Sequence, residues 1–292
     1  MKILSNIKYL FERKLKKELE FLDKQSNFDY LLDNLKYELY EDIKNLKVPN
    51  IKNVDETLDV LLTQNSSICR FGDGEFMLMQ GRDIPFQKAS KELERKLIEI
   101  LKSDNDNIKI AIPHALYHSK HNLTNTSKDF WRNVGPNFRL FLSDKLNKSK
   151  EYLSSEVSLA YTFYENYNFE KYFNKIRKIW NNKEIVIICG NTIFNNIQFN
   201  IFDNAKQIEY LYTLSKNAYD EYENILKKAI KINKNKIVIL ICGPTAKVLA
   251  YDLTLVGYRA LDLGHIAKSY DFYKRQKKID NQKISNKFFS PD

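Results

Sequence analysis

The chain has 292 residues, of which 43% are hydrophobic, and a formal net charge of +10. That apolar content argues against wholesale disorder and allows a sizeable core, and no apolar run is long enough to cross a bilayer. The charge favours an anionic partner such as nucleic acid, an acidic membrane surface or a phosphorylated substrate, although most of the lysines read as solvated surface.

Residues 1 to about 55 read as helical. Ile3, Ile7, Leu10, Leu15, Leu19 and Leu22 form an amphipathic stripe, with Lys8, Arg13, Lys14, Lys16 and Lys17 crowding its first half. Such a helix packs on its own domain or a dimer mate, or it lies on a membrane surface. A second helical run covers Tyr30 to Leu46, and Val48-Pro49-Asn50 breaks the pattern. The expected organisation is a helical extension over 1–53, a catalytic domain over 54–278 and a polar, frayed tail over 279–292.

From Val54 onward helix and strand alternate. Helices are expected over Asp55 to Leu62, Lys91 to Lys102, Lys128 to Leu146 with a break near Gly135-Pro136, Ala218 to Ile232, and Ala246 to Val256. Strands are expected over Ser67 to Phe71, Lys109 to Ile112, Ile185 to Cys189, Ile208 to Tyr212, Lys236 to Cys242, and Arg259 to Leu263. This alternation predicts an α/β fold, a Rossmann-like, mainly parallel sheet flanked by helices. Cys69, Cys189 and Cys242 sit inside apolar runs without metal or disulfide spacing, so they read as buried thiols of a reducing compartment. The N-terminus lacks a signal-peptide core and cleavage site, and the expected location is the cytoplasm.

The chemistry-bearing residues recur just past strand ends. Arg70-Phe71-Gly72-Asp73-Gly74-Glu75 puts two carboxylates on a glycine-bracketed loop beside an arginine. Carboxylates one residue apart can converge on a hard cation such as Mg²⁺ or Mn²⁺, and a guanidinium suits phosphate. A tight turn with solvated acids is the plain alternative. Gly243-Pro244-Thr245 opens a helix whose free N–H groups, with the Thr245 hydroxyl, form an anion site; ordinary strand-to-helix capping explains the same residues. His265, three residues after Asp262, is placed to bind metal, take a proton or hold a phosphate. His114, His118 and His121 fit no zinc spacing, and only His114 reads as a pocket member. In open α/β sheets ligands bind at the carboxyl edge, where all of these clusters should meet.

Four blocks in order carry a resemblance. They are Arg70 to Glu75, Lys216-Asn217-Ala218-Tyr219, Gly243-Pro244-Thr245-Ala246 with Leu249 to Leu253, and Asp262-Leu263-Gly264-His265-Ile266. Together they resemble the bacterial glycosyltransferases of the GT-D fold, first catalogued as a domain of unknown function, over roughly Asp55 to Lys274. The resemblance implies a single Rossmann-like domain that takes a nucleotide-sugar donor, typically UDP-glucose. It also implies a divalent cation, Mn²⁺ or Mg²⁺, on the Asp-x-Glu pair Asp73 and Glu75. Two departures stand out. Ala267 replaces an aspartate after Gly-His-Ile, and the segment from Asn191 to Phe202 lacks the family's arginine and glycines.

The expectation is a metal-dependent glycosyltransferase that extends a cell-surface polysaccharide or glycoprotein glycan, with a glycan or lipid-linked acceptor. Asp73, Glu75 and His265 are the candidate metal ligands. Arg70, Gly72, Lys216, Asn217, Gly243, Pro244 and Thr245 are the candidate donor contacts, and His265 or Asp262 the candidate base. The N-terminal helices would supply membrane contact or a homodimer, and no nucleic acid is expected. A methyltransferase on the same architecture, or a non-enzymatic anion- or membrane-binding module, is the alternative.

Overall fold

The computed structural model describes residues 48–118, 122–279 and 282–290, with isolated positions between 15 and 27. The chain divides into two compact units, residues 1–48 and 49–292. In the first, Leu15 and Leu19 are helical and exposed. The rest of the expected N-terminal stripe and the run from Tyr30 to Leu46 lie outside the described residues, as does His121. The second unit carries everything that follows.

Among the described residues eight strands form one sheet. They are β1 (Asn50–Ile51), β2 (Ser67–Arg70), β3 (Ile108–Ile112), β4 (Glu151–Ser154), β5 (Glu184–Gly190), β6 (Gln207–Thr213), β7 (Ile237–Ile241) and β8 (Ala260–Asp262). Their order is β1-β4-β3-β2-β8-β7-β5-β6, and each pairing is parallel.

A parallel sheet is covered on both faces, so its central strands read as unbroken apolar runs. Alternate residues of β7 go to opposite sides. Val238 and Leu240 join one core with Cys69, Ile188 and Leu249, while Ile237, Ile239 and Ile241 join the other with Ile68, Ile187 and Trp180. Each such side chain contributes ~1.5–3 kcal/mol of burial. All three cysteines are buried and free.

Helices begin where polar caps stop the strands' loops. Asn53 starts the Val54–Thr63 helix with a capping box, its Oδ1 accepting from the Glu56 N–H while Glu56 Oε2 accepts from the Asn53 N–H. Ser90 accepts from the Leu93 N–H at the start of Lys91–Lys102.

Several expectations change. The expected break at Gly135-Pro136 is absent: one helix runs from Asn125 to Leu142 through Pro136, held by buried Trp131, Phe138 and Leu142. Strand β4 was hidden by its mixed composition, yet Tyr152, Leu153 and Ser154 are buried and the Ser154 N–H donates to Thr57 Oγ1. The expected helix at Ala218 opens with a 3-10 turn and becomes α-helical only over Tyr222–Ala229. The tail expected to fray holds a helix, Gln282–Phe288, because Phe288 is buried against Phe272 and His265. No helix among the described residues is long and apolar enough to cross a membrane.

Strands β2 and β8 lie side by side at the centre, Ile68 opposite Leu261. The chain leaves β2 toward β3 on one flank, whereas β8 is reached from β7 on the other. In open α/β sheets ligands bind at the carboxyl edge where such connections diverge.

Candidate active site at the carboxyl edge of the sheet

A cluster of alternating charge lies at this edge. Strand β2 ends at Arg70 and β8 at Asp262, whose carboxylate is fully buried. The Arg70 backbone N–H donates to Asp262 Oδ2 at 3.0 Å, and its Nη2 donates to Oδ1 at 3.2 Å. Its Nε and Nη1 donate to the carbonyls of Asp262 and Ser155 at 2.8 and 3.0 Å. The guanidinium therefore faces inward. Arg70 braces the two strand ends. Asp262 is its counter-ion.

Gly264 is dictated by the same brace. Its φ is +45°, and a Cβ there would overlap the Arg70 Nη2. At the end of β5, a Cβ at Gly190 would stand 3.0 Å from the Ser215 Cα, so glycine lets the loop after β6 close over that strand end.

The carboxylate loop becomes the first turn of a short helix, Asp73–Leu78, capped at Gly72. Glu75 Oε2 accepts from the Gly72 N–H at 2.8 Å, and Oε1 pairs with Lys247 Nζ at 2.8 Å. Asp73 is exposed, on a loop closely surrounded by protein. Desolvation by those surroundings, together with the Glu75 charge, pushes its pKa up to about 6.

Lys247 is the group that sequence reading missed. It lies in the first turn of the helix Thr245–Leu255, is 5% exposed, and also stands 3.4 Å from Asp262 Oδ2 and from the Gly243 carbonyl. Burial works against its charge, but Asp262 and Glu75 outweigh burial and hold its pKa above the ordinary lysine value. The signal was present: a lone lysine in the apolar run Thr245 to Ala250 must find a buried counter-charge.

The turn Gly243 to Thr245, expected to offer free N–H groups, offers fewer: the Ala246 and Lys247 N–H groups donate to the Gly243 and Pro244 carbonyls at 3.1 and 3.3 Å. Pro244 has helical angles, and Gly243 takes a positive φ of 58°. The Thr245 hydroxyl is fully buried and has no hydrogen-bond partner among the described residues. Asn217 is already committed. Its N–H donates to the Phe86 carbonyl at 2.8 Å, and its Oδ1 accepts from the Lys88 N–H at 2.9 Å. It thereby docks the turn around Phe86 at this edge, while Lys216 is exposed.

His265 sits at the start of the helix Ile266–Lys274, walled by Phe86, Phe288 and Phe289 at 5.5, 5.7 and 5.5 Å between ring centroids. Burial, and then Lys268, Arg70 and Lys247, hold its pKa down to about 3. His114 lies after β3, stacked on His118 at 4.2 Å. The Ala115 N–H beside it donates to Glu156, a buried carboxylate that also accepts from Ser154 and Tyr164.

The expected three-ligand metal set does not assemble. Among the described residues no three His, Cys, Asp or Glu side chains form a group that could hold a metal ion. Glu75 is turned to Lys247, and His265 stands in a cage of phenylalanines. Asp73 remains available, which suits a cation that takes one or two carboxylates and draws its other ligands from phosphate and water, as Mg²⁺ does.

Comparison with known proteins identifies the family of the fold. The model of a family described as glycosyltransferase GT-D fold matches residues 68–290. A probable glycosyl transferase, Gly, of Streptococcus gordonii is 31% identical over 77% of this chain and 33% of its own length. Glycosyltransferase GlyD of Streptococcus pneumoniae serotype 4 is 30% identical over 79% of this chain and 28% of its own length. The chain thus spans about a third of the curated relatives it matches. A solved glycosyltransferase from Streptococcus sanguinis superposes with a TM-score of 0.75 at 31% identity, covering 79% of this chain and 86% of that one. A second solved structure, described as a domain of unknown function with a distinct glycosyltransferase fold, gives 0.74 at 30% identity, covering 82% and 86%.

Proposed function

Because the chain belongs to the glycosyltransferase GT-D fold family, we propose that it transfers a sugar from a nucleoside-diphosphate donor, such as UDP-glucose, to a hydroxyl of a glycan or lipid-linked acceptor. One observation carries the reading. The Lys247–Glu75 contact at 2.8 Å sets the first turn of the Thr245–Leu255 helix against the carboxylate loop. The orphaned Thr245 hydroxyl of this turn thereby lies beside the loop that carries Asp73, while the Ala246 and Lys247 N–H groups donate to the Gly243 and Pro244 carbonyls.

In the transfer, the bond between the anomeric carbon and the β-phosphate oxygen breaks. A bond to the acceptor oxygen forms, the nucleoside diphosphate leaves with the electron pair, and the acceptor hydroxyl loses its proton. The Gly243 to Thr245 turn would bind the diphosphate and Lys216 would lie at its rim. Asp73 would hold a Mn²⁺ or Mg²⁺ ion, with Glu75 fixing the loop. Such an ion neutralises charge building on the leaving diphosphate. Lys247 adds positive charge at the same place without leaving its carboxylates. His265, neutral at working pH, is the group that remains to orient or accept the acceptor proton.

Calorimetry tests the donor reading. UDP should bind in Mn²⁺, chelator should remove the binding, and UDP-glucose should release UDP when a suitable glycan is supplied. Equal affinity for UDP in chelator would remove the metal from the reading. No binding to a folded protein would remove the donor.

A further inference from the structure

Lys247 stands where neither helix stability nor burial favours a lysine. The N-terminal end of a helix attracts anions and disfavours a cation, yet Lys247 is the third residue of Thr245–Leu255. Buried ion pairs can often be replaced by apolar side chains of similar volume without loss of stability. The arrangement instead matches the needs of the site. Arg70 and Lys247 together balance Glu75 and Asp262, with contacts of 3.2, 2.8 and 3.4 Å. Asp73 is left as the uncompensated carboxylate of this group. The second oxygen of Glu75 is fixed by the Gly72 N–H at 2.8 Å, so neither of its oxygens is idle.

We propose that Lys247 is a positioning residue, a resident counter-cation that keeps the empty site from taking up a free divalent ion and so makes the ion enter together with the donor diphosphate. The inference rests on the donor-site reading above and deepens it. The affinity of a hard dication follows the number and charge of its oxygen ligands. With Glu75 paired to Lys247, the site offers a dication one uncompensated carboxylate. A diphosphate changes that balance, since it brings several anionic oxygens to the dication, and the Lys247 charge keeps the cluster from repelling it. Binding of ion and nucleotide should therefore be strongly and reciprocally coupled.

The experiment follows free Mn²⁺ by its electron paramagnetic resonance signal, on the full chain, with and without UDP. In the wild-type protein Mn²⁺ alone should bind at least about tenfold more weakly than Mn²⁺ in saturating UDP, after correction for the Mn²⁺–UDP complex free in solution. Lys247→Met should bind Mn²⁺ alone about tenfold or more tighter than wild type, while its affinity for UDP without metal falls. Lys247→Arg should restore the wild-type pattern. A lysine that merely stabilises the fold would not move the two ligands in opposite directions, so parallel loss of both in a folded Lys247→Met would overturn the proposal. Should that variant not fold, the wild-type pair of measurements decides: equal Mn²⁺ affinity with and without UDP overturns it. Failure of UDP to bind wild type at every Mn²⁺ concentration would overturn the donor reading, and the proposal with it.

Discussion

Arg70 and Asp262 meet at two points, through the Arg70 backbone N–H at 3.0 Å and its Nη2 at 3.2 Å. The pair ties the carboxyl ends of β2 and β8, the two adjacent strands at the centre of the sheet. With Asp262 fully buried, Asp262→Ala would strand Arg70 and half of the Lys247 neutralisation in a dry interior. Removing one partner of such a pair costs about 3–5 kcal/mol. A large drop in the urea midpoint is expected, and a midpoint unchanged within error would show that the brace is not structural.

Asp73 and Glu75 should separate in their effects, although they are two residues apart. Asp73 is held partly toward its neutral form by desolvation and by the Glu75 charge, so its ionisation works against the folded state. Asp73→Asn should leave the melting temperature unchanged or raise it, while abolishing the Mn²⁺-dependent part of UDP binding. Glu75→Gln breaks a buried contact with Lys247 and should cost about 1–3 kcal/mol of stability. Melting curves and calorimetry on both variants check this, and identical profiles would refute the division of roles.

His114 gives a dependence on pH. Burial and then the neighbouring His118 charge hold its pKa down to about 4, against an ordinary value of 6.5. Between those values the unfolded chain binds a proton that the folded chain refuses, so stability falls as pH drops through that window. The slope cannot exceed ~1.4 kcal/mol per pH unit for one group, and the partial exposure of this ring makes it smaller. Urea melts from pH 7 to pH 4 should be shallower in pH for His114→Gln than for wild type. Parallel curves would mean that His114 titrates normally.

The sheet was legible because its inner strands are continuous apolar, β-branched runs, as in Ile185 to Cys189 and Ile237 to Ile241. Which loops would meet was legible from glycines at strand ends. Side-chain partnership was not. Arg70 reads as a free phosphate ligand until Asp262, 192 residues away, is placed beside it. Glu156 and Tyr164 carry no motif, and their contact depends on how β4 leaves the sheet. The helix Gln282–Phe288 was masked by a polar tail, though the pair Phe288-Phe289 marked a segment with something to bury.

His265 offers a test of what its aromatic cage does. Phe86, Phe288 and Phe289 surround the ring, and its desolvation, aided by Lys268, Arg70 and Lys247, keeps it neutral down to about pH 3. A neutral imidazole can accept a proton in passing but does not store one at working pH. Its ring-proton resonance, identified by its disappearance in His265→Gln, should stay flat from pH 5 to pH 8. Phe86 belongs to a partly exposed turn, so Phe86→Ala should leave the fold intact while admitting water to one wall of the cage. The pKa should then rise toward the ordinary histidine value of about 6.5, bringing a titration into the observed range. With Lys268, Arg70 and Lys247 still in place, the rise should stop short of that value. A wild-type resonance that already titrates near pH 6.5 would mean that the cage does not desolvate the ring, and would return His265 to the ordinary acid–base range.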